Sequence, residues 1–289
     1  MSCVLELKNL GFTYGQGTPF EKRAVDNVSL KIEKGEFIGI IGHTGSGKST
    51  LVQMLNGLIR PTDGQVLLDG KDIWAEPKKI RNIRFKVGMV FQYPEYQLFE
   101  ETVYKDIAFG AMNKGLSGKE LDEAVKKAAQ FTGLQPCHME KSPFELSGGE
   151  KRRAAIAGVI AMNPEVLVLD EPTAGLDPMG REILLSQIVN YHKERGNTVL
   201  LVSHSMEDIA RVADKIIVMN QSHLVMFDKT KNVFAQGETL GKIGLRVPQI
   251  TLIMQELKNK GYSIPDGVLT VDEAVSVLSS ILKKEGKIW

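Results

Sequence analysis

The run Gly42-His43-Thr44-Gly45-Ser46-Gly47-Lys48-Ser49-Thr50 constrains this 289-residue chain more than any other feature. Its glycines let the backbone curl so that successive N–H groups point at one spot. Before it stands Phe37-Ile38-Gly39-Ile40-Ile41, a compact apolar run of the kind a strand buried on both faces requires. After it, Leu51, Met54, Leu55 and Leu58 follow helical spacing. A strand, a glycine loop and a helix N-terminus make an anion cradle, because free N–H groups and the positive end of the helix dipole face the same place. A plain glycine turn is the bland reading. The buried strand before it and the amphipathic helix after it weigh against that reading.

The spacing is glycine, four residues, then Gly-Lys-Ser, which is the Walker A pattern. It calls for a nucleoside triphosphate, with Lys48 reaching the β and γ phosphates and the Ser49 hydroxyl ligating Mg²⁺. A second apolar strand, Val166-Leu167-Val168-Leu169, ends in Asp170-Glu171. Buried carboxylates need a partner, and Mg²⁺ is the natural one. Asp170 then holds the ion as a Walker B aspartate does, and Glu171, slightly further out, polarises the attacking water. The structural alternative is that the pair caps a turn before Pro172. With a Walker A loop in the same chain, the catalytic reading wins.

Composition adds exclusions. With 36 basic and 35 acidic residues the chain is near neutral, which gives no global case for nucleic acid. Cys3 and Cys137 stand alone, which suits a reducing compartment and neither a disulfide framework nor a zinc site. The start, Met-Ser-Cys-Val-Leu-Glu, does not read as a signal peptide. The longest apolar run, Ala154 to Met162, falls far short of the ~20 residues of a spanning helix. Along the chain, residues 4–7 and Val28, Leu30 and Ile32 alternate as half-buried strands do. A turn at Pro61-Thr62-Asp63-Gly64 leads to a strand at Gln65–Asp69, and a mostly helical region spans Gln97 to Gly158. Strand-like runs at Val166–Leu169, Thr198–Val202 and Lys215–Met219 then alternate with amphipathic segments, which predicts an α/β layer with a parallel sheet. Gly237–Gly244 reads as a linker to a helical tail with Ile250, Ile253, Met254 and Leu257 on one face.

Several ATPase families share both Walker motifs. Leu146-Ser147-Gly148-Gly149-Glu150-Lys151-Arg152-Arg153 narrows the choice, because it resembles the signature of the ATP-binding-cassette (ABC) family and stands the family's distance before Asp170. Ser147, Gly148 and Gly149 open a helix expected over Glu150–Met162, presenting a second set of free N–H groups. Ser147 and Glu150 also make a capping box, and the two roles can coexist. The resemblance implies further residues. Gln92 matches the glutamine that contacts Mg²⁺ and water and senses the γ-phosphate. Ala174-Gly175-Leu176-Asp177 matches the D-loop, with Ala-Gly where Ser-Ala is common, so Asp177 is the secure position. His204 matches the switch histidine on the γ-phosphate, although a lone histidine at a strand end is usually structural. Tyr14 resembles the aromatic that stacks on adenine. Phe12 or Phe20 could serve instead, and a structural strand aromatic is the plainer alternative.

The resemblance implies a RecA-like P-loop core with an antiparallel β subdomain and a helical signature subdomain at about 97–160. Together these make an ABC domain over 1–236, followed by a helical tail over 237–289. It also implies head-to-tail pairs of cassettes, each ATP lying between one chain's Walker A loop and the other's signature. Gln92-Tyr93-Pro94-Glu95-Tyr96-Gln97-Leu98-Phe99-Glu100-Glu101-Thr102-Val103 and the tail, with Val247-Pro248-Gln249-Ile250 and Leu269-Thr270-Val271-Asp272-Glu273-Ala274, resemble energy-coupling factor (ECF) ATPases, in particular the second of their paired ATPases. That implies a subunit on the cytoplasmic face of the cell membrane, energising an importer of vitamins or transition-metal ions. Its partners would be a second ABC ATPase, a transmembrane scaffold and a substrate-binding membrane subunit. The scaffold is expected to dock on Tyr93 to Phe99, with Glu95, Glu100 and Glu101 facing its basic helix. The competing class is a soluble ABC ATPase of translation or DNA repair, which usually carries two cassettes or a long coiled-coil insertion. A P-loop kinase would lack the signature helix.

Overall fold

The computed structural model describes residues 2–284, so the last five residues of the expected tail, 285–289, lie outside the described residues. The first five strands are β1 (Cys3–Tyr14), β2 (Lys22–Glu33), β3 (Phe37–Ile41), β4 (Asp63–Leu68) and β5 (Lys71–Asp72). The next five are β6 (Val87–Val90), β7 (Val166–Asp170), β8 (Thr198–Val202), β9 (Lys215–Asn220) and β10 (His223–Lys229). They form two sheets: a four-stranded one in the order β2-β1-β4-β5 and a six-stranded one in the order β10-β9-β3-β8-β7-β6. The first is antiparallel throughout. The second is parallel except for the β9–β10 hairpin at its edge.

Side chains alternate across a strand, so a short strand with no polar position must be covered on both faces. The middle strands show this directly. Phe37 and Ile41 pack to one side with Leu167, Leu169, Val199 and Leu201. Ile38 and Ile40 pack to the other with Val166, Val168, Leu200 and Val202. Helices Val103–Lys114, Gly118–Phe131, Gly148–Ile160 and Pro178–Arg195 supply the first cover. Helix Lys48–Leu55 and the antiparallel sheet supply the second, through Leu51, Met54 and Leu55 and through Leu5, Leu7, Val28 and Ile32. Among the described residues no helix is long and apolar enough to cross a membrane.

Three local expectations need correcting. Leu58 lies beyond the end of its helix and is exposed, because the helix stops at Leu55 and Asn56 turns to bond the Val87 carbonyl at the start of the neighbouring strand β6. The fourth strand starts at Asp63, inside the expected turn. Gly237–Gly244, read as a linker, folds as the helix Gly237–Lys242 with Leu240 fully buried in the main core. Beyond it, helices Gln249–Asn259 and Val271–Lys284 close over a third, small core of Met254, Ile264, Val268 and Ala274. Ile250 and Leu257 flank that core, whereas Ile253 is exposed together with Leu252, Val271 and Val275.

Candidate functional site

Strands β3, β7 and β8 run parallel, and their carboxyl ends open on one side, where α/β sheets bind ligands. A cleft of about 370 Å³ lies there, lined by Tyr14, Thr44, Gly45, Lys48, Ser49, Gln92, Glu171 and His204. The loop from Gly42 to Thr50 forms its floor. Gly47 has φ +100°, and a β carbon there would stand 2.2 Å from the Ala24 carbonyl oxygen, so the turn tolerates no side chain. Lys48 is buried, and its Nζ donates to the carbonyls of Gly42 at 2.7 Å and His43 at 2.8 Å. Burial lowers its pKa against the pull of Glu171 and Asp170, which favour the charge. His43 gives the cleft only its backbone. Its ring turns away, Nε2 donating to the Ile243 carbonyl at 2.5 Å beside Gly244, at the start of the tail.

Asp170 ends β7 in a buried position. Burial raises its carboxyl pKa, and a hydrogen bond from the Ser49 hydroxyl opposes the rise. Glu171, the next residue, has φ +50°, a left-handed backbone that costs a residue with a β carbon about 1–3 kcal/mol. Its N–H donates to Val202 at 3.1 Å, which ties the turn to β8. Its carboxylate is engaged on both oxygens: Gln92 Nε2 donates to Oε2 at 3.2 Å, and His204 Nε2 lies 2.7 Å from Oε1. Gln92 and His204, from two other loops, thus converge on the Glu171 carboxylate in the cleft that Lys48 also lines.

The donor set fits a magnesium nucleotide. The loop that lines the cleft is an anion cradle kept bare by glycine: Thr44, Gly45, Gly47 and Lys48 face it, and Gly47 has no room for a β carbon. Ser49 and Asp170 place two hard oxygens side by side, and among the described residues no cluster of three or more His, Cys, Asp or Glu could hold a metal alone. That matches Mg²⁺, which takes a few protein oxygens and completes its shell with phosphate and water. Tyr14 stands at the rim, 42% exposed, its hydroxyl 3.2 Å from Thr50 Oγ1 and Phe12 edge-on to its ring. Phe12 packs in the core behind it, and Phe20, 87% exposed, does not line the cleft.

The remaining expected residues lie elsewhere. Ser147 caps helix Gly148–Ile160 in a capping box, Glu150 bonding back to Ser147 N at 2.8 Å and Oγ at 2.7 Å. Those bonds hold the Glu150 carboxyl below its usual pKa, and they commit it to the cap. A β carbon on Gly148 would meet nothing within 4 Å, and one on Gly149 only Arg153 at 3.7 Å, so this helix start faces open space. Asp177 caps the next helix, its Oδ1 accepting from Gly180 N at 2.7 Å. Gly149 and Asp177 line one groove with Arg153, Met179 and Ile183, and that groove shares no residue with the cleft.

Sequence reasoning missed Arg152. It is buried, with Nε and Nη2 donating to Glu95 at 3.0 and 2.6 Å and Nη1 donating to the carbonyls of Pro172 and Ala174. A signal was present: Arg152 precedes Ile156 and Ile160 by one and two helical turns, so it sits on the face this helix buries. This also corrects the expectation that Glu95 faces a scaffold helix. Glu101, for its part, pairs with Lys105 on the surface.

A phosphate loop, a carboxylate strand end and a separate signature helix on two-sheet scaffolding define a P-loop ATPase of the ATP-binding-cassette class. The family described as "ABC transporter" matches residues 25–174. The description "AAA domain, putative AbiEii toxin, Type IV TA system" matches residues 141–208, which hold the signature, Glu171 and His204. The energy-coupling factor transporter ATP-binding protein EcfA2 of Clostridium perfringens is 54% identical over 280 residues, 96% of this chain and 98% of that protein. The solved structure of cbiO1 from Clostridium perfringens, part of the ABC transporter complex cbiONQ, matches with a TM-score of 0.75 at 38% identity. It covers 88% of this chain and 100% of that one. A dimeric post-hydrolysis state of the cassette MJ0796 bound to ADP and Pi matches at 0.70 and 29% identity, over 78% of this chain and 98% of that one. The chain belongs to the ABC transporter ATP-binding family, in its energy-coupling factor branch. The reading as a soluble factor of translation or repair gains nothing from these relatives.

Proposed function

We propose that this chain binds Mg·ATP in the cleft and hydrolyses it as one of two cassettes that energise an ECF-type importer of vitamins or transition-metal ions. The observation that carries the reading is the Glu171 carboxylate, held by Gln92 and His204 directly above the Lys48 cradle. Lys48 and the loop amides from Gly42 to Thr50 bind the phosphates, and the ring face of Tyr14 takes the adenine. Mg²⁺, held by Ser49 and Asp170 with Gln92 nearby, supplies charge neutralisation on the phosphate oxygens. Glu171 accepts the proton of the attacking water. His204 turns its N–H from Glu171 to the γ-phosphate as that group arrives, which frees the carboxylate for the water.

Ser147, Gly148, Gly149 and Asp177 serve the nucleotide of a second cassette, in a head-to-tail pair. The groove that Gly149 and Asp177 line stands apart from this chain's own cleft, and the MJ0796 cassette has a dimeric structure. The assembly sits peripherally on the cytoplasmic face of the membrane, with a transmembrane scaffold and a substrate-binding membrane subunit. Exposed Tyr96, Phe99, Phe109 and Met112 supply the apolar patch on which the scaffold docks. Affinity capture of the tagged chain from native membranes, with mass spectrometry, tests this. We expect a second cassette and a multi-spanning protein in the eluate, and ATP hydrolysis that depends on Lys48. Recovery of the chain with ribosomes or DNA-repair factors, and no membrane protein, overturns it.

A further inference from the structure

We infer that Arg152 is a positioning residue that ties hydrolysis in this chain's cleft to the signature surface it offers its partner. The inference rests on the head-to-tail reading above. Arg152 stands five residues after Ser147, on the helix whose first turn is the signature. Its guanidinium is 5% exposed and reaches two other segments at once. One is the turn after Gln92, where Glu95 accepts two parallel bonds and the Tyr93 ring lies 5.9 Å from the guanidinium carbon. The other is the loop after Glu171, where the Pro172 carbonyl accepts at 3.2 Å and the Ala174 carbonyl accepts from the same nitrogen.

These two segments begin at the residues that meet across the cleft, Gln92 and Glu171, 3.2 Å apart. Both carry left-handed backbone at a residue with a side chain, Tyr93 at φ +56° and Glu171 at φ +50°. Such conformations persist only where the surroundings hold them. The bidentate ion pair and the two carbonyl bonds add to that hold, and they fix the far end of each segment to the signature helix. A buried guanidinium that loses its carboxylate is heavily penalised. A shift of Gln92 or Glu171 on binding or release of the γ-phosphate therefore carries the helix bearing Ser147 with it, or breaks this pair. The Ala174 contact also lies just before Gly175-Leu176-Asp177, so the same guanidinium anchors the loop that shares the signature's groove. Lysine would keep the charge here and lose the planar fork that bonds both segments together.

The test uses the assembled pair of cassettes. Arg152→Lys is expected to lower kcat roughly 10- to 100-fold, as misplacement of groups remote from the chemistry does. Its ATP dissociation constant should stay near that of the parent, its thermal midpoint should fall with the lost buried bonds, and its Hill coefficient for ATP should fall toward one. Glu95→Gln keeps the shape of the turn and should move the same quantities. The double variant should be no worse than the stronger single, because both remove one linkage. Unchanged kcat and Hill coefficient with a lowered thermal midpoint overturn the inference, since a merely structural clamp behaves that way. So do single effects that multiply. Ser147→Arg in mixed pairs separates the two readings. If it damages only its own chain's turnover, the head-to-tail reading fails. If it acts on the partner's nucleotide while Arg152→Lys leaves cooperativity intact, this inference alone fails.

Discussion

Around Lys48 nearly every group is already engaged. Its ammonium sits on two carbonyls, Asp170 takes the Ser49 hydroxyl, and Glu171 is bonded on both oxygens. Around Gly148 little is engaged: the capping box closes on itself, and the two glycines face open space. Both regions are helix N-termini suited to anions. The first is pre-organised by its own chain, and glycine is needed there because backbone lies where a side chain would be. The second keeps its glycines for something outside the chain. The difference teaches that a helix start can be kept bare for two unrelated reasons, and that only the surroundings of the absent β carbon tell them apart.

The largest expected effect concerns the engaged side. Glu171→Gln keeps the shape and removes the proposed base, and should slow steady-state hydrolysis by ~10²–10⁴-fold while ATP binding survives. Near-parental turnover in a phosphate-release assay would remove Glu171 from the role. Next, the two glycines should part company. Gly47→Ala places a methyl 2.2 Å from the Ala24 carbonyl oxygen at φ +100°. It should lose about 1–3 kcal/mol for the backbone alone in denaturant titrations, with the clash added. Gly148→Ala meets nothing within 4 Å and should hold or gain up to ~1 kcal/mol, yet impair hydrolysis in the assembled pair. Equal destabilisation by both would erase the distinction.

A smaller effect is expected at the rim of the cleft. Tyr14→Ala should weaken ATP binding by about 0.5–1.5 kcal/mol, the range of a ring stack, in a titration calorimetry comparison. Tyr14→Phe should stay close to the parent, since the hydroxyl only reaches Thr50. The smallest effect links the two regions. Burial alone would raise the Glu95 carboxyl, but the bonds and charge of Arg152 outweigh it and leave its pKa lowered. A depressed carboxyl contributes stability that is present above its unfolded pKa and lost as pH falls through the folded one. The parent should therefore lose stability below the ordinary glutamate range, from about pH 4.5 downward. Glu95→Gln, measured by thermal melts across that range, should show a shallower acid slope.

What the sequence made legible follows how local each signal is. The buried strands β3, β7 and β8 are plain from apolar runs of four or five residues, because cover on both faces leaves no polar position within the run. The phosphate loop was plain because its spacing and its flanking elements are contiguous. β10 went unread, because an edge hairpin strand is only partly buried and its pattern is correspondingly faint. Gly237–Lys242 reads as a linker since two glycines in six residues mask a helix that one leucine, Leu240, anchors in the core. Arg152 and Glu95 sit 57 positions apart, and a pairing at that separation leaves no local trace. The carboxylates after Gln92 looked alike in the sequence, yet Glu95 is internal and Glu101 lies on the surface.

His43 gives the chain an unexpected seam. Its side chain leaves the phosphate loop and donates to the Ile243 carbonyl, with Gly244 packed so close that a β carbon there would stand 2.8 Å from the ring. The natural place to divide this protein, judged by composition, falls near residue 236. A fragment ending there would retain every phosphate-facing group and lose the peg on which the second residue of the loop hangs. Modularity in this molecule therefore does not follow domain bookkeeping. A unit that keeps this bond runs at least through Gly244, and a graft or fusion joined any earlier takes from the loop a partner 200 residues away.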